Sequence, residues 1–240
     1  MRVAVFALAS ILAACASQAS PSSAPPKPSV PPPELPAPVA AAAAHVVLVF
    51  IEATCETLGD ATAIGTGFYV APRVIATADH ALQAARDGAI PDFAIVGEGG
   101  CSRAVYGNRI DTLDTLLLLA HNEHAGHLNL AARLPENGEI LHRRSFNAYD
   151  ETTGTAVFGD AVVVMEPLPP SRVFYAAAPH PPESGESGSP LIDSDGNVVG
   201  MTLASGKLRS NGKPIGVYVS SLAIRVVLAQ CGGGGPCSEE

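Results

Sequence analysis

The sequence predicts an all-β protein, a barrel or sandwich of short strands closed by a single C-terminal helix. Three observations carry this. The chain is rich in Val, Gly and Pro, with 23 glycines and 21 prolines, and shows little sign of long amphipathic helices. Its apolar residues fall in many short runs separated by turn signals. A run with helical spacing of apolar residues follows the last of them, in SSLAIRVVLAQ.

The first element is not part of that fold. Residues 1–14 carry one positive charge, Arg2, and then an apolar or small run from Val3 to Ala14, too short to span a bilayer as a permanent helix, so they read as an export signal. The run ends in Leu12-Ala13-Ala14-Cys15, and the stretch that follows, PSSAPPKPSVPPPELPAPVAAAAA, buries nothing by its composition. Residues 15–45 are therefore expected to be an extended tether of up to about 90 Å at about 3.1 Å per residue.

The folded part is expected from residue 46 onward. HVVLVFIEAT reads as a buried strand, and GTGFYVAPRVIATADHAL as two strands about a turn at Ala71-Pro72-Arg73, with a short helical start at Ala81. Further strands are expected in DFAIVGE, SRAVYG, DTLLLLA, GEILHRRSF, TAVFGDAVVVMEP, SRVFYAAAP, PLIDS, NVVGMTLA and GVYVSS, and the terminal helix follows them.

Charge narrows the function. The formal net charge is −9 with three lysines, Lys27, Lys207 and Lys213, which leaves no electrostatic footprint for nucleic acid. Chemistry is expected instead around Ser187. An acyl-transfer serine needs backbone N–H groups beside it to hold an oxyanion, and a glycine two positions earlier lets the chain turn them inward. GESGSP, residues 185–190, supplies this for Ser187. Ser184 lacks that glycine, and Ser189 precedes Pro190 and reads as structural.

GESGSPLIDSDGNVVGM resembles the active-site segment of the chymotrypsin-like (trypsin-like) serine peptidases, closest to the bacterial HtrA-type and glutamyl endopeptidase branch. GTGFYVAPRVIATADHAL resembles the segment that ends in that family's histidine, and DTLLLLA the one that begins with its aspartate. The order histidine, aspartate, serine is the family's order. The resemblance implies two antiparallel six-stranded β-barrels, about 46–135 and about 136–230, within a peptidase domain of residues 46–240. It implies a triad of His80, Asp114 and Ser187, an oxyanion hole from the N–H groups of Gly185 and Ser187, no metal and no cofactor. The pocket for the residue before the cut would be built around Pro181 and from Thr202, Leu203, Ala204 and Ser205. None of these carries a charge, so a small or apolar preference is expected for a protein or peptide substrate.

Asp79 before the histidine and Leu116 after the aspartate depart from the family pattern, and either has the bulk to crowd the imidazole. Asp111 is a rival for the carboxylate role. Glu186 stands where many digestive members carry an aspartate that pairs with a freshly cut N-terminus, a pair that a chain tethered at its N-terminus does not readily make. The alternative to an enzyme is a catalytically silent member that binds peptides or partner proteins; an esterase would use the same triad.

Leu12 to Cys15 resembles the lipobox of bacterial lipoproteins, which implies acylation of Cys15 and membrane anchoring in the cell envelope, with Ala16 pointing to the outer membrane. Four cysteines then remain, and an even count in an exported domain suggests two disulfides. Three pairings are possible. Cys55–Cys101 with Cys231–Cys237 is favoured because the second pair closes a short loop.

Other residues take structural readings. His121, His124 and His127 are expected on a solvated loop rather than around a metal, and His180 as a cover near the nucleophile. Asp193, Asp195 and Asn197 are expected in a tight hairpin, and His142-Arg143-Arg144 on an exposed face.

Overall fold

The computed structural model describes residues 35–61, 63–80, 91–146, 157–165, 173–177, 181–208 and 211–231. Among the described residues, twelve strands form two closed antiparallel barrels of six strands each, as the family resemblance implies, and a helix follows, as the apolar spacing predicts. The first barrel holds β1 (Val46–Ile51), β2 (Ala63–Ala71), β3 (Val74–Ala78), β4 (Phe93–Gly97), β5 (Gly100–Ile110) and β6 (Thr115–Ala120), in the spatial order 1-2-3-6-5-4. The second holds β7 (Ile140–Ser145), β8 (Val157–Val164), β9 (Val173–Ala177), β10 (Pro190–Ile192), β11 (Val198–Lys207) and β12 (Pro214–Ser220), in the order 10-11-12-9-8-7. Closure leaves no unpaired sheet edge in either barrel.

The continuous apolar run Leu116 to Ala120 shows how the two barrels are joined. A strand with water on one side alternates, whereas this one does not, because both of its faces are covered. Leu116, Leu118 and Ala120 enter the first barrel's core with Ile75, Phe93 and Ile95. Leu117 points the other way, into a cluster that takes Val198, Met201 and Val219 from the second barrel and Ala223, Ile224 and Val227 from the helix. That helix, α2 (Ser221–Cys231), packs on β5 and β6 of one barrel and on β11 and β12 of the other. Each fully buried Leu, Ile or Val in this seam contributes about 1.5–3 kcal/mol, so the seam fixes how the barrels meet.

The fold begins earlier than the sequence suggests. A tether is expected to residue 45, yet Ala37–Ala41 forms one helical turn, α1, and Ala42–His45 a 3-10 turn running into β1. Val39 and Ala42 are buried in the seam cluster, and Pro38 lies so close to Gly196 that a Cβ there would approach it to 2.9 Å. An alanine-rich composition suggests a solvated tether, but alanines form helix readily and present methyl groups that can be buried. His45 closes this segment by a 3.0 Å hydrogen bond between its Nδ1 and Nε2 of His124.

Cys55 and Cys101 form a disulfide, linking the β1–β2 connection to the start of β5. The pairing expected for Cys237, the residues expected as export signal and tether before residue 35, the helical start at Ala81, and His180 lie outside the described residues.

Candidate active site

The site is assembled where the two barrels face each other. β3 ends at Ala78 and passes into a 3-10 turn that carries Asp79 and His80. The residue before β6, Asp114, takes a left-handed conformation with φ 47°. That conformation is uncommon for a residue with a side chain, and here it is held on both sides. The Asp79 N–H donates to the Asp114 carbonyl at 3.2 Å, and the His80 N–H donates to Asp114 Oδ1 at 2.7 Å. The other carboxylate oxygen, Oδ2, lies 2.8 Å from His80 Nδ1. With Nδ1 committed to the carboxylate, Nε2 is the free face of the ring, and it stands 3.0 Å from Ser187 Oγ.

The carboxylate raises the His80 pKa above its ordinary value, chiefly through the Nδ1 hydrogen bond. Partial burial works against this, and the charges of Asp114 and Asp79 add to it. Neither departure from the family pattern disturbs the geometry. Leu116 is buried in the first barrel's core, and Asp79 Oδ1 lies 3.9 Å from Arg109 Nη1. Asp114, rather than Asp111, makes both contacts to His80.

Ser187 sits on a turn whose shape needs glycine. Gly185 and Gly188 have φ of 91° and 85°, and a Cβ on Gly188 would overlap the Thr66 carbonyl. The Glu186 carbonyl is taken by the N–H of Ser189 at 3.0 Å and by the Ser189 hydroxyl. In a trans peptide the N–H lies opposite the carbonyl, so the N–H of Ser187 is turned away from this bonded side. Among the described residues, no acceptor engages the N–H of Ser187 or of Gly185.

The first barrel grips this turn through β2. The Thr66 N–H donates to the Ser187 carbonyl at 2.8 Å, and its hydroxyl donates to the Gly185 carbonyl at 2.9 Å. Thr66 Oγ1 also accepts the Phe146 N–H at 3.1 Å, while the Thr77 hydroxyl donates to the Thr66 carbonyl at 2.8 Å. A Cβ at Gly65 would meet the Ser187 carbonyl at 2.7 Å. Sequence reasoning used GTGFY only to locate the histidine strand and missed this contact; the signal was a threonine between two glycines, where the backbone of another segment comes close.

The expected pocket residues divide. Ala204 and Ser205 are exposed and Pro181 is half-buried. Thr202 is fully buried, and the Leu203 side chain lies in the seam between the barrels. These two face the turn through backbone: Thr202 exchanges hydrogen bonds with Gly188 and Ser189, and the Leu203 carbonyl oxygen lies 3.1 Å from Ser187 Oγ. A bulge in β11 between Thr202 and Ala204 sets Leu203 out of register with β12.

Three further readings are decided by the structure. The basic cluster is not an exposed face: Arg143 is 3% exposed and Arg144 7%, because Arg143 has a buried carboxylate, Glu186, to answer. His124 is not simply solvated but stacks on Tyr69 at 4.2 Å and bonds His45, while His121 and His127 are exposed. Residues 193–197 form the expected tight hairpin, with Asp193 Oδ1 accepting the N–H groups of Asp195 and Asn197. Among the described residues no group of three His, Cys, Asp or Glu is placed to hold a metal ion.

The model of the trypsin-like peptidase domain family matches residues 65–201, a span that contains His80, Asp114 and Ser187. No curated protein matches the chain. Among solved structures, the active form of the Rv3671c protease from M. tuberculosis superposes with a TM-score of 0.63 at 20% identity, covering 85% of this chain and 90% of that one. The serine endoprotease of Yersinia pestis gives a TM-score of 0.63 at 16% identity over 80% of this chain and 64% of its own. The MamO protease domain of Magnetospirillum magneticum gives 0.58 at 18% identity, over 77% and 96%.

Proposed function

The chain belongs to the trypsin-like peptidase family, and from that premise we propose that it is a serine endopeptidase of the cell envelope, cutting protein or peptide substrates through an acyl-enzyme on Ser187. The observation that carries this reading is the unbroken relay from Asp114 Oδ2 to His80 Nδ1 and from His80 Nε2 to Ser187 Oγ, at 2.8 and 3.0 Å.

Each group has one task. As Ser187 Oγ attacks the scissile carbonyl carbon, its proton passes to His80 Nε2. The carbonyl oxygen takes up the negative charge and is met by the N–H groups of Gly185 and Ser187, each worth about 3–4 kcal/mol of barrier when lost. His80 then gives its proton to the leaving nitrogen, the carbon–nitrogen bond breaks, and the acyl group stays on Ser187. Water enters, loses a proton to the same Nε2, and releases the acid and the free serine. Asp114 holds the imidazole with Nδ1 protonated and stabilises the cation formed in both halves. No step calls on a metal or cofactor. Ala204, Ser205 and Pro181, all uncharged, bound the place for the residue before the cut, which supports a small or apolar preference.

The address comes from sequence. Residues 1–14 are proposed as a lipoprotein export signal and Cys15 as the acylated residue, with residues up to 34 as the tether between membrane and domain. None of the described helices is long and apolar enough to cross a membrane. Mass measurement of the Cys15 peptide from the membrane fraction tests the anchor.

The activity is tested by digesting denatured proteins with the wild type and with Ser187→Ala. Cleavage by the first and none by the second is the expected outcome. Equal and negligible cleavage by both, with no labelling of Ser187 by a fluorophosphonate, would make the chain a binding member of its family instead.

A further inference from the structure

The peptidase reading makes no use of the histidine pair that joins the start of the fold to the first barrel. Residues 35–45, LPAPVAAAAAH, form a strap that enters the seam through Val39 and Ala42, and His45 is its one polar side chain. That side chain meets a fixed post. The His124 N–H donates to the Pro72 carbonyl at 2.8 Å and the Leu128 N–H to the Tyr69 carbonyl at 2.9 Å, which ties the connection after β6 to β2 and the turn that follows it. The His124 ring stacks on Tyr69 with centroids 4.2 Å apart. His45 meets the His124 ring edge-on, with its Nδ1 3.0 Å from Nε2 of His124. Backbone of the same connection lies against His45: a Cβ at Gly126 would come within 2.9 Å of His45 Cε1. Both rings are half-buried.

Two ring nitrogens this close hold one proton between them. With both rings neutral, or with one charged, one nitrogen donates and the other accepts. With both charged, two N–H donors face each other without an acceptor and two like charges meet. We propose that the His45–His124 contact is an acid-sensitive latch, which holds residues 35–45 against the barrels while the two imidazoles share a proton and releases them when both are charged. Burial keeps the His45 pKa below its ordinary value, and the charges of His124 and His127 push the same way. Glu98, in the β4–β5 turn, acts against them, and the Tyr69 hydroxyl, raised by burial, stays neutral. Released into water, His45 regains its ordinary value of about 6.5. The strap is therefore held fully above that pH and loosens as pH falls through the lower value of the docked ring, by up to about tenfold per pH unit for each proton taken up. Release returns residues 35–45 to the chain in front of the domain, about 34 Å at about 3.1 Å per residue, and uncovers the part of the seam that Val39 and Ala42 close.

Hydrogen exchange reads the strap directly. The full chain is made in the Ser187→Ala background, which removes self-cleavage and keeps the outcome apart from the peptidase reading. Exchange of the amides of residues 39–47 is followed from about pH 8 to about pH 5, corrected for the intrinsic rate at each pH, beside that of β6. Protection of the strap is expected to fall by about tenfold or more across this range while β6 keeps its own. His45→Gln, which keeps a polar group opposite His124 but takes no proton, is expected to hold the strap at one level throughout. His124→Gln is expected to carry the fall to lower pH, because an amide oxygen accepts from a charged His45. Strap protection in the parent that is flat with pH, or that falls only together with β6, overturns the proposal, as does a His45→Gln protein that keeps the parent's fall. If His45→Gln leaves the strap open at every pH, His124→Gln decides: a midpoint unchanged from the parent overturns the latch, and a lowered midpoint upholds it.

Discussion

The two barrels share a strand order but fill their centres differently. The first is packed with Val49, Ile75, Phe93, Ile95, Leu116 and Leu118 and is tied on its outside by Cys55–Cys101. The second has its own apolar core of Leu141, Val162, Phe174, Leu191 and Val199 and adds to it a buried ion pair, Arg143 with Glu186. The difference follows from what each presents. His80 and Asp114 sit at the ends of neighbouring apolar strands, and two short-range hydrogen bonds join those ends. Ser187 sits on a turn with two left-handed glycines, which has little apolar surface of its own, so it is held by hydrogen bonds from both barrels and by a buried charge pair of the second.

Removing the reacting groups breaks the comparison most severely. Ser187→Ala should abolish turnover, and Asp114→Asn should lower kcat by about 10⁴-fold by releasing the imidazole into the wrong tautomer. Both are read by peptide hydrolysis, with melting curves to show that the barrels persist. Next in size, replacing Cys55 and Cys101 by serine opens a link across a sequence separation of 46 and should cost about 4 kcal/mol of stability in denaturant titration. That loss belongs to the first barrel, so labelling of Ser187 in the folded fraction should keep its rate. Thr66→Val keeps the shape and removes the hydroxyl that donates to Gly185 and accepts from Phe146. It should cost about 1–3 kcal/mol and slow acylation more than it weakens substrate binding, which kcat and KM measured separately would reveal.

The smallest effect is one of pH. Because hydrogen bonding to Asp114 raises the His80 pKa, and only the neutral ring accepts the serine proton, the acid limb of kcat/KM should lie above the ordinary histidine value. It should move down in Asp114→Asn. Stability runs the opposite way. A histidine whose pKa is raised on folding stabilises the native state fully below its unfolded value of about 6.5, and this is lost as pH rises through the folded value. His80→Ala should therefore lower the melting temperature at pH 5 and leave it nearly unchanged at pH 9.

The same contrast explains what could be read from the sequence. Strands were legible because apolar runs and turn residues are local signals; each of β1 to β12 overlaps an expected segment, with β2, β5, β11 and β12 running beyond theirs, while the pairing into two barrels came from the family resemblance. His80, Asp114 and Ser187 were legible because each sits in a short motif. Thr66, Ser145 and Arg143 were not, since their partners lie 119, 41 and 43 positions away along the chain and nothing local marks the pairing. Arg143 was expected at the surface because three basic residues in a row usually face water; the carboxylate that draws it inward could only be found in space. Val39 and the alanines of residues 40–44 were assigned to the tether for a related reason, as composition alone does not say whether a groove is waiting for them.

The most direct measurement of the central claim is the mass of the protein caught during turnover. Mixed with an activated ester and quenched in acid, the wild type should gain the mass of one acyl group, mapped to Ser187, and His80→Ala should gain none on the same timescale. An adduct on another residue, or equal adducts in both proteins, would contradict the account that His80 and Asp114 make this hydroxyl the nucleophile.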